Sequence, residues 1–330
     1  VEIGSNKKAP GRTQRNMDRF TAHLDRGWDL LEKGDTHRAL VAARQALEVD
    51  GDAPEVHNLI GYIHAATGDY DEALEWYERA IELDEWFLEP LLNAAELLAH
   101  PDADPAEAVR LCRRARTLEL SETELADALL IEVEALLSLE RDEEALERLD
   151  QIERPETLLL PQQVLLGRLR LDAGDPSGAR PILERAVEST PKDAEAWHTL
   201  GLVARDLGDR IGAVQSFSRA AALDRTAPRP PWALDLERGA DLVRDALGEL
   251  PPEHAARYDG VEVSIVELPT EEQVAAEIDP RQVIRAEGVD PERGAFVRLH
   301  VFVRNLERVA TPETAADELV RMLAAEAGAA

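Results

Sequence analysis

An α-helical solenoid of about six hairpins followed by a small α/β domain is the fold this sequence predicts, and three observations carry it. Small residues recur with a period of 34; apolar residues make up 44% of the chain while aromatics make up only 4%; and the period stops after Leu223, where DRTAPRPPW begins. A chain of 330 residues has material for two or three domains. An apolar complement made mostly of Ala, Leu and Val suits closely packed helices better than strands.

The first sixteen residues carry Lys7, Lys8, Arg12 and Arg15 against Glu2 and show no apolar periodicity. They are expected to form a disordered basic lead-in over 1–16. Helical patterning starts at Met17 and defines a solenoid over 17–225. In AEAWHTLGLVARDLGDRIGAVQSFSRAAAL, Trp197, Leu200, Gly201, Ala213, Phe217 and Ala220 stand at the W-x2-L-G … A-x3-F-x2-A spacing. Thirty-four residues earlier, Leu166, Gly167, Ala179, Leu183 and Ala186 fill the same positions. Ile60, Gly61, Ala73, Tyr77 and Ala80 do so nearer the front, and Gly27, Ala39, Ala43 and Ala46 before them.

Two further copies hold Ala95, Ala108, Cys112 and Ala115, then Val133, Leu136, Ala145, Leu149 and Ile152. Copies start near 20, 54, 88, 126, 160 and 194, so one interval is 38 residues where the others are 34, with its excess around HPDADPAEA and LELSETEL. Gly-Asp pairs at Gly34, Gly68, Gly174 and Gly208 are expected to end first helices in a left-handed turn. Cys112 takes the slot that Tyr77 and Phe217 fill elsewhere, so a buried structural thiol is expected rather than a nucleophile.

By these motifs, residues 20–223 resemble six tetratricopeptide repeats. The resemblance implies a superhelix in which the first helix of each hairpin lines a concave groove that takes a peptide or partner helix. The groove residues it implies are Trp28, Leu31, Asn58, Tyr62, Glu96, Glu134, Arg168, His198 and Arg205. The repeated Lys, Arg and Asn with which chaperone-binding relatives clamp a carboxylate are absent except for Asn58, so a chaperone-tail receptor is not expected. Trp28 and Tyr62 could equally pack between hairpins.

A second domain is expected over 226–330. Leu234–Leu250 has a helical stripe, Val261–Leu268 and Val297–Val303 alternate as strands, and Pro312–Ala327 returns to helix. This order resembles the small zincin-like metallopeptidase domains. That family carries H-E-x-x-H, two His binding zinc and a Glu activating water. Here the aligned stretch reads AEAGA: Glu326 matches, but Ala325 and Ala329 replace both ligands with methyl groups. A catalytically inactive domain without metal or cofactor is expected, with helix 234–250 capping the last hairpin. His254 and His300 are expected in a surface turn and as a partnered strand residue.

The charge bounds the partners. With 67 acidic and 37 basic residues, a net charge of -30 disfavours nucleic acid and anionic lipid. A protein partner offering a basic or amphipathic segment is expected instead, with no membrane insertion. One cysteine excludes intramolecular disulfides and multi-thiolate zinc sites and, with no signal-peptide core in view, suggests the cytoplasm. Gly-rich phosphate loops and the G-x-S-x-G elbow are missing, and acidic runs such as Asp142-Glu143-Glu144 lack the alternation of a calcium loop. The function expected is a non-enzymatic adaptor or scaffold; a metalloprotease with a recruiting arm, or a subunit of a larger assembly, are the alternatives.

Overall fold

A computed structural model describes residues 12–329. They form two compact units that part after Asp175, so the last helical hairpin shares a unit with the C-terminal α/β elements. The first unit contains α1 (Arg12–Glu32), α2 (Thr36–Val49), α3 (Pro54–Thr67), α4 (Tyr70–Leu83), α5 (Leu88–Leu98), α6 (Pro105–Ala115), α7 (Glu122–Ser138), α8 (Asp142–Leu149) and α9 (Leu160–Asp172). Of the expected lead-in, residues 1–11 lie outside the described residues. Residues 12–16 are a correction: they are helical, extending α1 beyond the expected start at Met17. Gln14 Nε2 donates to Asp18 Oδ1 at 3.0 Å, one helical turn on, which supports that exposed first segment.

In the first unit α1 pairs with α2, α3 with α4, α5 with α6 and α7 with α8, and in the second unit helix Ala194–Asp206 pairs with helix Arg210–Thr226, each as an antiparallel hairpin. Most first helices end in a residue at positive φ. Gly34, Gly68, Gly174 and Gly208 sit at φ 75°, 84°, 82° and 73°. Asp35 then caps α2 by accepting from Arg38 N at 3.1 Å. Within a hairpin, the small residues let the two helices approach. A Cβ built on Gly61 would lie 2.7 Å from the ring of Tyr77, a residue only 1% exposed. Neighbouring hairpins bury a shared core, as where Ala39, Ala43 and Ala46 of α2 meet Val56, Leu59, Ile60 and Ile63 of α3.

The long interval resolves into extra helix. α7 has 17 residues against 14 in α3, starting at a Ser121–Glu124 capping box that lies before the expected copy start at 126. The fourth hairpin also lacks the glycine. Its turn is closed by Glu140 at φ 57°, and its inward Leu position is taken by Glu132, which is fully buried. Glu132 accepts from Arg113 Nε at 3.2 Å, Arg116 Nη1 at 2.6 Å and Arg148 Nε at 3.0 Å, so guanidiniums from α6, from the residue that follows it and from α8 neutralise the carboxylate. Cys112 is buried, and burial pushes its thiol up to about 12.

The second unit contains α10 (Pro176–Ser189), α11 (Ala194–Asp206), α12 (Arg210–Thr226), α13 (Leu236–Glu249), α14 (Pro252–Ala255), β1 (Glu262–Val266), α15 (Glu271–Ala275), β2 (Ile284–Val289), β3 (Phe296–Phe302), α16 (Val303–Val309) and α17 (Ala315–Ala329). The sheet has the order β1-β3-β2, with β1 parallel and β2 antiparallel to the central β3. Ser264 and Arg285 both register with His300. A core of Val243, Ala246, Leu299, Val301, Leu306, Leu319 and Leu323 joins sheet and helices.

The expected cap is corrected here. Helix α13 packs on α17 and β1 within its own domain. The short helix α15 instead reaches α12, and its Val274, 1% exposed, closes a core with Ala204, Ala213, Phe217 and Ala221. Ion pairs fix this junction. Asp224, at the end of α12, accepts from Arg281 Nε and Arg308 Nη1 at 3.0 Å each. The guanidinium of Arg304 donates to the carbonyls of Asp224, Arg225 and Ala227, completing the C-terminal end of α12 with positive charge where its dipole favours it.

Candidate functional site

In the first unit, the first helices of successive hairpins place one residue of each on a common face, which is where the groove was sought. Trp28 on α1 meets Tyr62 on α3 edge to face, with ring centroids 5.5 Å apart at 66°. Trp28 is half-buried against the first core, with Leu31 beside it, and Tyr62 is 44% exposed. Asn58 is buried, and its Oδ1 accepts from Asn93 Nδ2 of α5 at 3.0 Å; it stitches two hairpins rather than facing solvent.

Further along, α5, α7 and α9 line two adjoining depressions of about 360 and 300 Å³. Glu96 and Glu134 border both. The first is walled by Leu92, Leu130, Ile131 and Leu165, the second by Ala99, Leu137 and Leu169 with Asp172 and Arg168. Arg168 Nη2 lies 2.8 Å from Glu134 Oε1, and its Nε lies 3.9 Å from Asp172 Oδ2. Burial holds the Glu134 carboxyl above its ordinary range, opposed by Arg168 and reinforced by the nearby charge of Glu96. Burial raises Asp172 likewise, against Arg168. Arg168 is thus divided between two carboxylates, Glu134 and Asp172, in a hollow that Glu96 also borders.

Asp172, Asp127 and Leu165 escaped the sequence reading. Asp172 follows Arg168 by one helical turn, so extending the groove positions by four residues along each first helix would have reached it.

The sixth hairpin differs. His198 Nε2 lies 2.8 Å from Asp279 Oδ1, and Leu202 packs on the cluster that holds Val274. Arg205 stands over the ring of Phe217, 6.0 Å from its centroid. The structure therefore places His198 against the chain's own Asp279, with only 12% of its side chain exposed, and not in an open groove.

A zinc site fits poorly at the C-terminus. Ala325 offers no lone pair, and Glu326 Oε1 accepts from Ala286 N of β2 at 3.1 Å, so this carboxylate ties α17 to the sheet edge. His300 in β3 lies 3.5 Å from Glu287 Oε2 and stacks at 11° on Phe302, while His254 lies apart in α14. Among the described residues no group of three or more His, Cys, Asp or Glu side chains is placed to hold a metal ion. Among them also, no helix is long and apolar enough to cross a membrane.

Paired helices stacked through small residues, with a lined inner face, define a helical-hairpin repeat protein. Residues 24–85 and 164–228 match the model of the tetratricopeptide repeat, and the chain carries these repeats. It is similar to a TPR repeat-containing protein, PA0015, of Pseudomonas aeruginosa, with 39% identity over 61 residues, 18% of this chain and 58% of that protein. The chain spans less than two thirds of the length of the curated relatives it matches. Among solved structures, PilW, described as a widely conserved type IV pilus biogenesis factor, superposes with a TM-score of 0.56 at 16% identity over 63% of this chain and 94% of that one. A tetratricopeptide repeat protein from Parabacteroides merdae covers 93% of this chain and 99% of its own at 14% identity and a TM-score of 0.51. These likenesses concern the fold.

Proposed function

We propose that this protein is a non-enzymatic scaffold that grips a segment of a partner protein along the first helices of its N-terminal unit. The carrying observation is the run from the Trp28–Tyr62 aromatic pair to the two depressions at Glu96 and Glu134, all on helices of one unit. An aromatic pair on α1 and α3, followed by apolar hollows along α5, α7 and α9, offers a docking segment successive anchor points. The C-terminal domain, read as a zincin-like module without its ligands, serves in this proposal as a second docking surface and as the closure of the sixth hairpin. What supports a non-catalytic role is the chemistry of its donors: methyl groups at Ala325 and Ala329, and a Glu326 engaged with the backbone of β2.

The test is a double replacement, Trp28→Ala with Tyr62→Ala, assayed for binding to the partner recovered from the native source and for thermal unfolding. Lost binding with a nearly unchanged melt supports the reading. Lost folding would assign both rings to the core.

A further inference from the structure

We infer that the partner segment presents a lysine or arginine to the hollow between Glu96, Glu134 and Asp172, with apolar side chains on either side of it. This rests on the groove reading above and adds the chemistry of the occupant. Residues at equivalent positions on four successive first helices read Trp28, Tyr62, Glu96 and Glu134, so an aromatic end is followed by a carboxylate pair. The carboxylates border hollows walled by Leu92, Leu130, Leu137 and Leu169, so a segment seated there buries apolar surface beside them.

Among the described residues, Arg168 is the one guanidinium lining the 300 Å³ hollow, and it is divided between Glu134 and Asp172. That leaves negative charge in excess beside an apolar wall. A protonated amine or guanidinium on an aliphatic stem satisfies both features at once, because its methylenes lie along the leucines while its head reaches the carboxylates. An acidic segment would be repelled, and a purely apolar one would take water from the carboxylates without supplying the positive charge they lack. The overall charge of -30 draws the same class of partner from a distance.

The experiment pans a phage-displayed random dodecapeptide library on the whole chain. Enriched peptides are then measured as synthetic, fluorescein-labelled probes against the wild type and a Glu96→Gln, Glu134→Gln double variant. Circular dichroism melts establish that the variant is folded; the amide oxygen that replaces the Glu134 carboxylate can still accept from Arg168. Enrichment of Lys or Arg flanked by aliphatic or aromatic residues, with binding weakened at least about tenfold by the double variant and by raised salt, is the expected result. Enriched peptides without a basic residue, or basic peptides that bind the variant equally, overturn this inference. If such peptides still lose binding to the Trp28→Ala, Tyr62→Ala protein, the groove reading survives. Failure to enrich any peptide overturns both.

Discussion

His198 Nε2 and Asp279 Oδ1 are 2.8 Å apart, which bonds the inner face of the last repeat to a loop of the C-terminal domain 81 residues away in sequence. Burial pushes the Asp279 carboxyl up, but the hydrogen bond and charge of His198, the Arg281 N–H and the charge of Arg205 outweigh it and hold it below the usual carboxylate range. A carboxyl with a depressed folded-state value stabilises the fold above its ordinary value near 3.8, and that contribution disappears as the pH falls through the depressed one. Asp279→Asn should therefore cost about 1–2 kcal/mol near neutrality and nothing once the pH is well below 3.8. Urea unfolding of both proteins across an acid series checks this; a cost that persisted undiminished at the lowest pH would contradict it.

Gly61 and Tyr77 predict a steric coupling. Adding a methyl to Gly61 meets the Tyr77 ring at 2.7 Å and Ala73 O at 3.1 Å, and the backbone oxygen cannot swing away. Gly61→Ala should cost about 1–3 kcal/mol by overpacking. Combining it with Tyr77→Leu, which vacates the ring, should cost less than the sum of the two single changes. A double-mutant cycle by chemical denaturation measures that coupling, and strict additivity would show that the helices had moved apart instead.

The repeats were legible because close helix crossings force small residues into fixed positions, and a 34-residue period of Gly and Ala survives divergence elsewhere. Buried Cys112 and the left-handed Gly turns followed from the same register. What escaped lies where long-range contacts decide. Residues 12–16 have no apolar stripe, yet they continue α1. Strand β2, IRAEGV, buries only Ile284 fully and owes its conformation to pairing with β3. Helix α15 has five residues, too few to show a period, although it closes the last hairpin. Around the 300 Å³ hollow, the column through Glu96, Glu134 and Arg168 was readable from spacing. That His198 faces Asp279 depends on a loop whose path no periodicity encodes.

Glu132 occupies the position that Ile60, Leu166 and Leu200 fill in three other repeats, and its three arginine partners make it costly to alter alone. Glu132→Gln keeps the shape but removes the charge that compensates Arg116 and Arg148, whose side chains are 22% and 18% exposed. The expected loss is about 2–4 kcal/mol, read as a lower urea midpoint with an unchanged slope. Glu132→Leu combined with replacement of all three arginines by Met should recover much of it, since a well-packed apolar cluster can match a buried ionic one. A Glu132→Gln protein as stable as the wild type would mean that solvent already screens the network.

Glu140 predicts a gain. It ends the first helix of the fourth hairpin at φ 57°, where the turns at Gly34, Gly68, Gly174 and Gly208 use glycine at φ between 73° and 84°. An L side chain in the left-handed region costs roughly 1 kcal/mol, while glycine adds some conformational freedom to the unfolded chain. The strain is the larger effect here, because the turn's hydrogen bonds, Glu140 N to Leu137 O at 2.9 Å and Arg141 N to Leu136 O at 2.9 Å, hold that conformation whichever residue is present. Glu140→Gly should stabilise the protein by about 0.5–1 kcal/mol. The mirror change, Gly68→Ala at φ 84°, should destabilise it by a similar amount; a methyl there meets nothing within 4 Å, so the cost is purely one of backbone conformation. Paired thermal melts of the two variants separate this account from any effect of lost side-chain contacts.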